Sequence, residues 1–513
     1  MKTRRLPIMC STRCHAAIPH LIFLSFYLMN GLFKLASLEE EGTPSLMSWK
    51  MTMKKPLLLL ATTVTLTGCA GIMPTKSDQQ FSSAVHSGDY TTAAQFALEE
   101  SGYDPETQTV SDILWAIEAG AILNYAGDYE LSNQVFDASE KSMKEVDQES
   151  TVSNLLQTGL SMVGNDAFLD YEQTLYDGVM TNTYKAWNFM HAGDYNNARV
   201  EWNRAEERQR RAAEFFAEQI KQQEEALEGE QGDNKFDPAE FVAKTLDSAE
   251  TRKMLEAQGV TFDQWKPYEG YVNPYTTYSY GLNLLLNGKS ASDYNKAADA
   301  FKRVYGLTNS KQVKADLDLA KSLAKGRSST DNMVWVIFEN GESMVKEEFR
   351  LDLPLFLFTE DVAYTGIALP RLKAREQAFP SIQVEGVKTE VIADMDKIIG
   401  AEFEKNYNSI LTREITRTLL KTVAQKQIND SNPLAGFATG MLQSAVTSAD
   451  TRTFTSLPKQ YQTAHVKRKG DTVKVKAGNF EIPVALDTSA TSHIIHVKAV
   501  SPTTEPLVRV INL

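Results

Sequence analysis

One phrase recurs along the chain and limits what it can become: Gly88-Asp89-Tyr90, Gly127-Asp128-Tyr129, Gly193-Asp194-Tyr195 and a looser Ser292-Asp293-Tyr294. Each marks a turn between two helices. Three residues after the tyrosine stands a small residue (Ala93, Ser132, Ala198, Ala297). Seven after it, in three of the four units, stands an aromatic (Phe136, Trp202, Phe301).

The helix before each turn supplies an independent check. A tetratricopeptide repeat wants a small residue nine positions before the tyrosine, where its paired helices approach closely. Gly120 and Ala186 comply, and Gly281 does so once the insertion 289–292 is allowed for; the first unit has Phe81 there. The tyrosines are spaced by 39, 66 and 99 residues, against about 34 for a regular array. The expectation for residues 81–325 is therefore a degenerate, interrupted α-superhelix of the tetratricopeptide kind. A run rich in Glu, Arg, Gln and Ala from Asn196 to Leu227 predicts one helix far longer than a repeat needs, with Glu207, Arg208, Arg210 and Arg211 on a solvated face. Pro238 restarts a helix.

Tyr268, Tyr271, Tyr275, Tyr278 and Tyr280 crowd into fourteen residues around the turn Asn273-Pro274. Tyrosine joins an apolar ring to a polar hydroxyl, which suits interfaces. Two readings stand: a partner-binding surface, or packing of the fourth repeat's first helix by Tyr275, Tyr278 and Tyr280.

After the polar break 326–330 the apolar period changes from helical to alternating. Met333–Glu339 and Met344–Leu353 flank Asn340-Gly341 and read as a hairpin-like pair. Further strand patterns fall at 464–469, 472–476, 479–484, 492–500 and 506–513. Short strands at this spacing argue for a C-terminal β-sandwich over 331–513. A helical insert at 394–449 interrupts it, in two segments, 399–428 and 433–447. The fold expected is thus α+β and multidomain.

Cys69 closes the run MTMKKPLLLLATTVTLTGCAG. Lys54 and Lys55 form a positive start and 56–66 an apolar stretch too short to span a bilayer, with Leu66-Thr67-Gly68-Cys69 as a small-residue cleavage site. This resembles a bacterial lipoprotein signal peptide. The resemblance implies cleavage between Gly68 and Cys69 and acylation of Cys69, whose chains anchor stably because each buried methylene contributes about 0.8 kcal/mol. On that reading 53–68 is the signal peptide, 69–80 an acylated tether, and 1–52 a mis-assigned upstream extension. Ala70, in place of an aspartate, implies the outer membrane.

Removing that leader leaves a chain of charge roughly −18, which argues against nucleic acid and against adhesion to anionic headgroups. Cys69 is then the only cysteine, so burial rather than crosslinking must supply stability. No phosphate loop, HExxH helix or GxSxG elbow is present. His493 and His496 are three apart in a strand and face opposite sides. The pairs Asp394/Asp396 and Asp316/Asp318 and the isolated His86, His191 and His465 form no metal or catalytic motif. No catalytic residue, metal or small-molecule cofactor is expected.

Together with the repeats, the blocks YVNPYTTYSYGL, FKRVYGLTN and ADTRTFTSLPKQYQTAHV resemble a family of uncharacterised bacterial outer-membrane lipoproteins over most of 53–513. Its members are often encoded beside lipoproteins that activate penicillin-binding proteins. The resemblance implies a lipid-anchored, periplasm-facing, non-catalytic adaptor that binds a protein partner in cell-envelope assembly, with peptidoglycan synthesis as one setting. Two alternatives stay open: a peptidoglycan- or polysaccharide-binding protein or enzyme, and a subunit of an envelope secretion or surface-assembly complex.

Overall fold

The protein is mixed α+β. Its computed structural model describes residues 76–144, 171, 173–228, 245, 248–260, 268, 272–353, 365–431 and 448–513. Gly68, Cys69, Tyr271, the helix restart at Pro238 and the segment 433–447 lie outside the described residues.

Helices pair across each recurring phrase. Helix α1 (Lys76–Ser87) packs on α2 (Tyr90–Ser101), α3 (Ile113–Ala126) precedes α4 (129–144), and α5 (Leu175–His191) packs on α6 (Tyr195–Glu228). The phrase works by division of labour. At Gly127 the backbone takes φ 91°, which a side chain would resist, and this ends the first helix. The aspartate then caps the second helix: Asp89 accepts from Thr92 N at 3.1 Å and Asp194 from Asn197 N at 3.1 Å. The tyrosine starts that helix. The fourth pair, α8 (Pro274–Asn287) and α9 (Ala291–Thr308), departs from this because of its insertion: Ser290 becomes the cap, Ser292-Asp293-Tyr294 lies inside α9 rather than in the turn expected there, and Ser290 Oγ donates to Asp293 Oδ2 at 2.9 Å. Helix α7 (Ala249–Ala257) lies between the third and fourth pairs in sequence, and α10 (Lys311–Leu323) follows α9.

The small residue of the first helix has a steric cause. A Cβ on Gly120 would sit 2.5 Å from the Phe136 ring, and one on Gly281 would sit 3.0 Å from Phe301. These are the aromatics found seven residues after each tyrosine.

Strands β1 (Met333–Asn340), β6 (Glu390–Asp394), β7 (Gln460–Lys467), β10 (Ser492–Ala499) and β11 (Leu507–Asn512) form a sheet ordered β11-β10-β1-β7-β6. β1 runs parallel to β10 and antiparallel to β7. A second sheet is ordered β5-β4-β8-β9, from β4 (Gln383–Val384), β5 (Val387–Lys388), β8 (Thr472–Ala477) and β9 (Phe480–Ala485). β2 (Val345–Leu353) and β3 (Thr365–Lys373) make a separate ribbon, which packs with helices α7 and α11 (Met395–Ser431) around Phe349, Ile367, Tyr407 and Leu411.

Alternation along the central strands decides the layering. Val334, Val336 and Phe338 of β1, with Ile495 and Val497 of β10, pack with Val384, Val473 and Val475 of the smaller sheet. Trp335, Ile337 and Ile494 face the other way into a core shared with the helices, including Tyr184, Trp187, Tyr275 and Phe301. The five-stranded sheet is therefore covered on both faces, and the helical and strand-rich halves share one core.

The expected β1–β2 hairpin does not form. Both edges of β1 are occupied by β7 and β10, and the Asn340 side chain is committed elsewhere. Its Oδ1 accepts from Ala378 N (3.0 Å) and Phe379 N (3.1 Å), and its Nδ2 donates to Phe379 O (2.6 Å). Gly341 does turn the chain, at φ 66°, but into the path that leads β2 to β3. The first segment of the helical insert is present as α11.

Candidate functional site

The helix-covered face of the large sheet carries buried polar groups among its apolar ones. Glu339 accepts from Tyr125 OH at 2.9 Å and Tyr184 OH at 3.4 Å, and lies 3.7 Å from Lys498 Nζ. The Tyr184 hydroxyl also meets those of Tyr125 at 2.6 Å and Tyr461 at 3.1 Å. Lys498 sits 4.1 Å over the Tyr125 ring. Burial pushes the Glu339 carboxyl up and the Lys498 ammonium down, and each charge partly restores the other.

A second cluster lies further along the same face. Asp316 is fully buried on α10. It accepts from Tyr278 OH (2.8 Å) and Trp335 Nε1 (2.9 Å), and His465 Nδ1 stands 3.0 Å from its Oδ1. Burial pushes the His465 imidazole down, but the hydrogen bond and charge of Asp316 outweigh it, so its pKa is raised. Asp316 and His465 are 149 positions apart, and only the packing of α10 on β7 joins them.

The tyrosine stretch is turned inward, which corrects the reading of Tyr275 and Tyr278 as an exposed partner surface. Both are fully buried. Tyr275 stacks on Tyr461 at 3.5 Å between centroids, and Tyr278 bonds to Asp316 and Thr463. Tyr280 is half-buried against the same core. Tyr268 accepts from Asp394 N at 3.1 Å with Lys397 over its ring at 5.4 Å. Packing of α8, the other reading of this stretch, is what Tyr275 and Tyr278 do.

The remaining acids and histidines singled out in the sequence are also placed. Asp396 accepts from Met344 N at 2.9 Å and pairs with Lys459. His493 Nε2 meets Asp487 O at 2.9 Å, while His496, on the opposite face of β10, packs on Trp187 at 4.3 Å. Among the described residues no cluster of three or more His, Cys, Asp or Glu could hold a metal ion. No described helix is long and apolar enough to cross a membrane.

An open groove of about 500 Å³ lies where α1 meets the ends of the large sheet, lined by Ser82, Ser83, His86, Ser87, Glu342, Arg375 and Thr504. The exposed face of α1 forms one wall. The other is held by Arg375, which donates to Ser343 O, Thr455 O and Glu342 Oε1 (3.0 Å). Two contacts close the corner: His86 Nδ1 to Glu342 Oε2 at 3.4 Å, and Thr504 Oγ1 donating to His86 O at 3.1 Å. The lining offers hydroxyls and one acid–guanidinium pair, a set suited to hydrogen-bonding an extended polar chain. No sequence motif marks it, since its residues come from four separate segments.

Comparison with known proteins gives no match to a family model, a curated protein or a solved structure.

Proposed function

We propose that the chain is a non-catalytic adaptor, acylated at Cys69 and held at the periplasmic face of the outer membrane, that docks an envelope protein through the groove along α1. The groove carries this reading. α1 begins at Lys76, so a tether from Cys69 reaches at most about 25 Å at roughly 3.5 Å per residue, and the groove is held near the bilayer. Its second wall belongs to the strand-rich half, so a partner there would read both halves at once.

On this proposal the four helix pairs are degenerate tetratricopeptide units and the two sheets a β-sandwich. The contacts of Gly120 with Phe136 and of Gly281 with Phe301 support the first, and the apolar layer between the sheets supports the second. Burial shifts Glu339, Lys498 and Tyr184, and Glu339 bonds each of the other two across the seam, which supports a scaffolding role.

Purification of the acylated protein from detergent-solubilised envelopes at native expression tests the reading. A defined envelope protein should co-purify, and the S83R/S87R variant should lose it while remaining folded. A partnerless monomer would refute the reading. The hydroxyl lining also favours a second reading, a polysaccharide ligand; binding to purified sacculi that S83R/S87R abolishes would establish that instead.

A further inference from the structure

The charge balance of one crevice is unexplained by the packing around it. Arg509 of β11 sits opposite His496 of β10 in register. Among the described residues no carboxylate pairs with it. Its contacts run through Nη2 to the carbonyls of Tyr125 (3.5 Å) and Ala126 (3.3 Å) at the end of α3. Those bonds suit a cation at a helix C-terminus. They do not account for Nε, which is sealed from solvent and donates to nothing. Arg509 as a whole is part-buried, but a sealed donor such as its Nε is as a rule partnered.

The neighbours repeat the pattern. His191 stacks on Tyr129 at 4.4 Å and lies 5.3 Å from His496, whose Nε2 is likewise sealed and without a partner. Lys498 closes the far side, and the one carboxylate present, Glu339, is already bonded to Lys498, Tyr125 and Tyr184. With both imidazoles neutral the lining carries two cations and one anion. Burial and then the charge of Arg509 hold His191 down to about 4. Burial and then His191 hold His496 well below its usual range. The free space, partly open to solvent and about 20 Å³, admits one water-sized or chloride-sized occupant.

We propose that this crevice is a binding site for one chloride-sized monovalent anion, held by Arg509 Nε and the edge of His496. The anion would supply the missing counter-charge at the seam between α3, α4 and α5 and the strands β10 and β11. It would stabilise that seam without any change of fold.

The test uses the full chain in detergent and chloride-free gluconate buffer, titrated with chloride at constant ionic strength and followed by ³⁵Cl line broadening and by melting temperature. Saturable broadening and a rise in melting temperature are expected, with R509Q weakening the apparent affinity at least about tenfold. Acetate should leave the chloride signal unchanged, because its three-atom carboxylate exceeds the space; acetate that displaces chloride at similar concentration would overturn the single-ion site. Should R509Q fail to fold, bromide-soaked crystals of the wild type decide: an anomalous peak beside Arg509 Nε supports the site, and bromide found only at other surfaces overturns it. Equal responses of wild type and a folded R509Q, or no chloride effect beyond that of gluconate, would also overturn it.

Discussion

Replacing Asp316 tests the seam between the helices and the sheet at its most committed point. The carboxylate accepts two hydrogen bonds, from Tyr278 and Trp335, and forms an ion pair with His465 Nδ1 at 3.0 Å. Asp316→Ala deprives all three partners, but not equally. Trp335 Nε1 is buried with no other acceptor nearby and should cost about 1–3 kcal/mol. Tyr278 retains Thr463 at 2.9 Å, and the His465 side chain, 17% exposed, can turn to water, so these two together add about 1 kcal/mol. The vacated volume adds about 1 kcal/mol more, for a total of about 3–5 kcal/mol. Asp316→Asn keeps the volume and one acceptor and should lose about 1–3 kcal/mol. Peptide-level hydrogen exchange over α10, β1 and β7 reads the loss locally. At 1.36 kcal/mol per decade, Asp316→Ala should speed exchange there by about 10²- to 10⁴-fold. The pH dependence has a definite sign. Because the folded His465 pKa is raised, the pair's contribution is fully present below the unfolded value of 6.5 and is lost as pH rises through the folded value. The gap between wild type and Asp316→Asn should therefore be wider at pH 5.5 than at pH 9. A loss under about 1 kcal/mol for Asp316→Ala, or a gap that does not narrow with pH, would refute the reasoning.

Other substitutions probe separate links. Burial raises Glu402 to about 8, so in the wild type it weakens the fold as pH climbs from its unfolded value of 4.5 towards 8; Glu402→Gln, which keeps the acceptor for Leu175 N, should flatten the urea-midpoint profile over that range and match or exceed wild type at pH 7.5. Gly120→Val places a side chain against the Phe136 ring and should cost about 1–3 kcal/mol by overpacking, read as a lowered melting temperature, whereas the same change at Gly306, where a Cβ meets nothing within 4 Å, should cost about 1 kcal/mol or less. Lys185 is buried among Asp137, Glu140 and Glu201, so Lys185→Ala should destabilise by about 3–5 kcal/mol in thermal unfolding. Cys69→Ser should move the protein from the membrane pellet to the soluble periplasmic fraction on envelope fractionation.

The first three turns were legible because each rests on three adjacent residues with separate local tasks: glycine for the left-handed backbone, aspartate for the cap, tyrosine to begin the helix. Gly120 and Phe136 were legible as well, since their spacing within one hairpin is fixed by helix geometry. Strand positions β7 to β11 followed from alternation. What alternation could not reveal is which face meets solvent. Glu339, His465, His496 and Lys498 are polar residues in strand patterns, yet the helices cover them, and their partners Tyr125, Tyr184 and Asp316 come from distant helices. The same gap hid the role of Tyr278, whose hydroxyl serves Asp316 rather than a ligand. The β1–β2 pairing failed for a related reason: a hairpin signal is local, while β10, which takes one edge of β1, lies about 160 residues away. The groove along α1 draws on four segments and left no trace in any one of them.

The adaptor reading is tested most directly by a photo-crosslinking residue at Ser83, on the groove wall of α1, in intact cells at native expression, with the same residue at Lys314, on the exposed surface of α10, as control. The account predicts one dominant crosslinked envelope protein at Ser83, absent at Lys314 and lost in the Cys69→Ser background where the tether is gone. No crosslink at Ser83, or the same products at both positions, would contradict it.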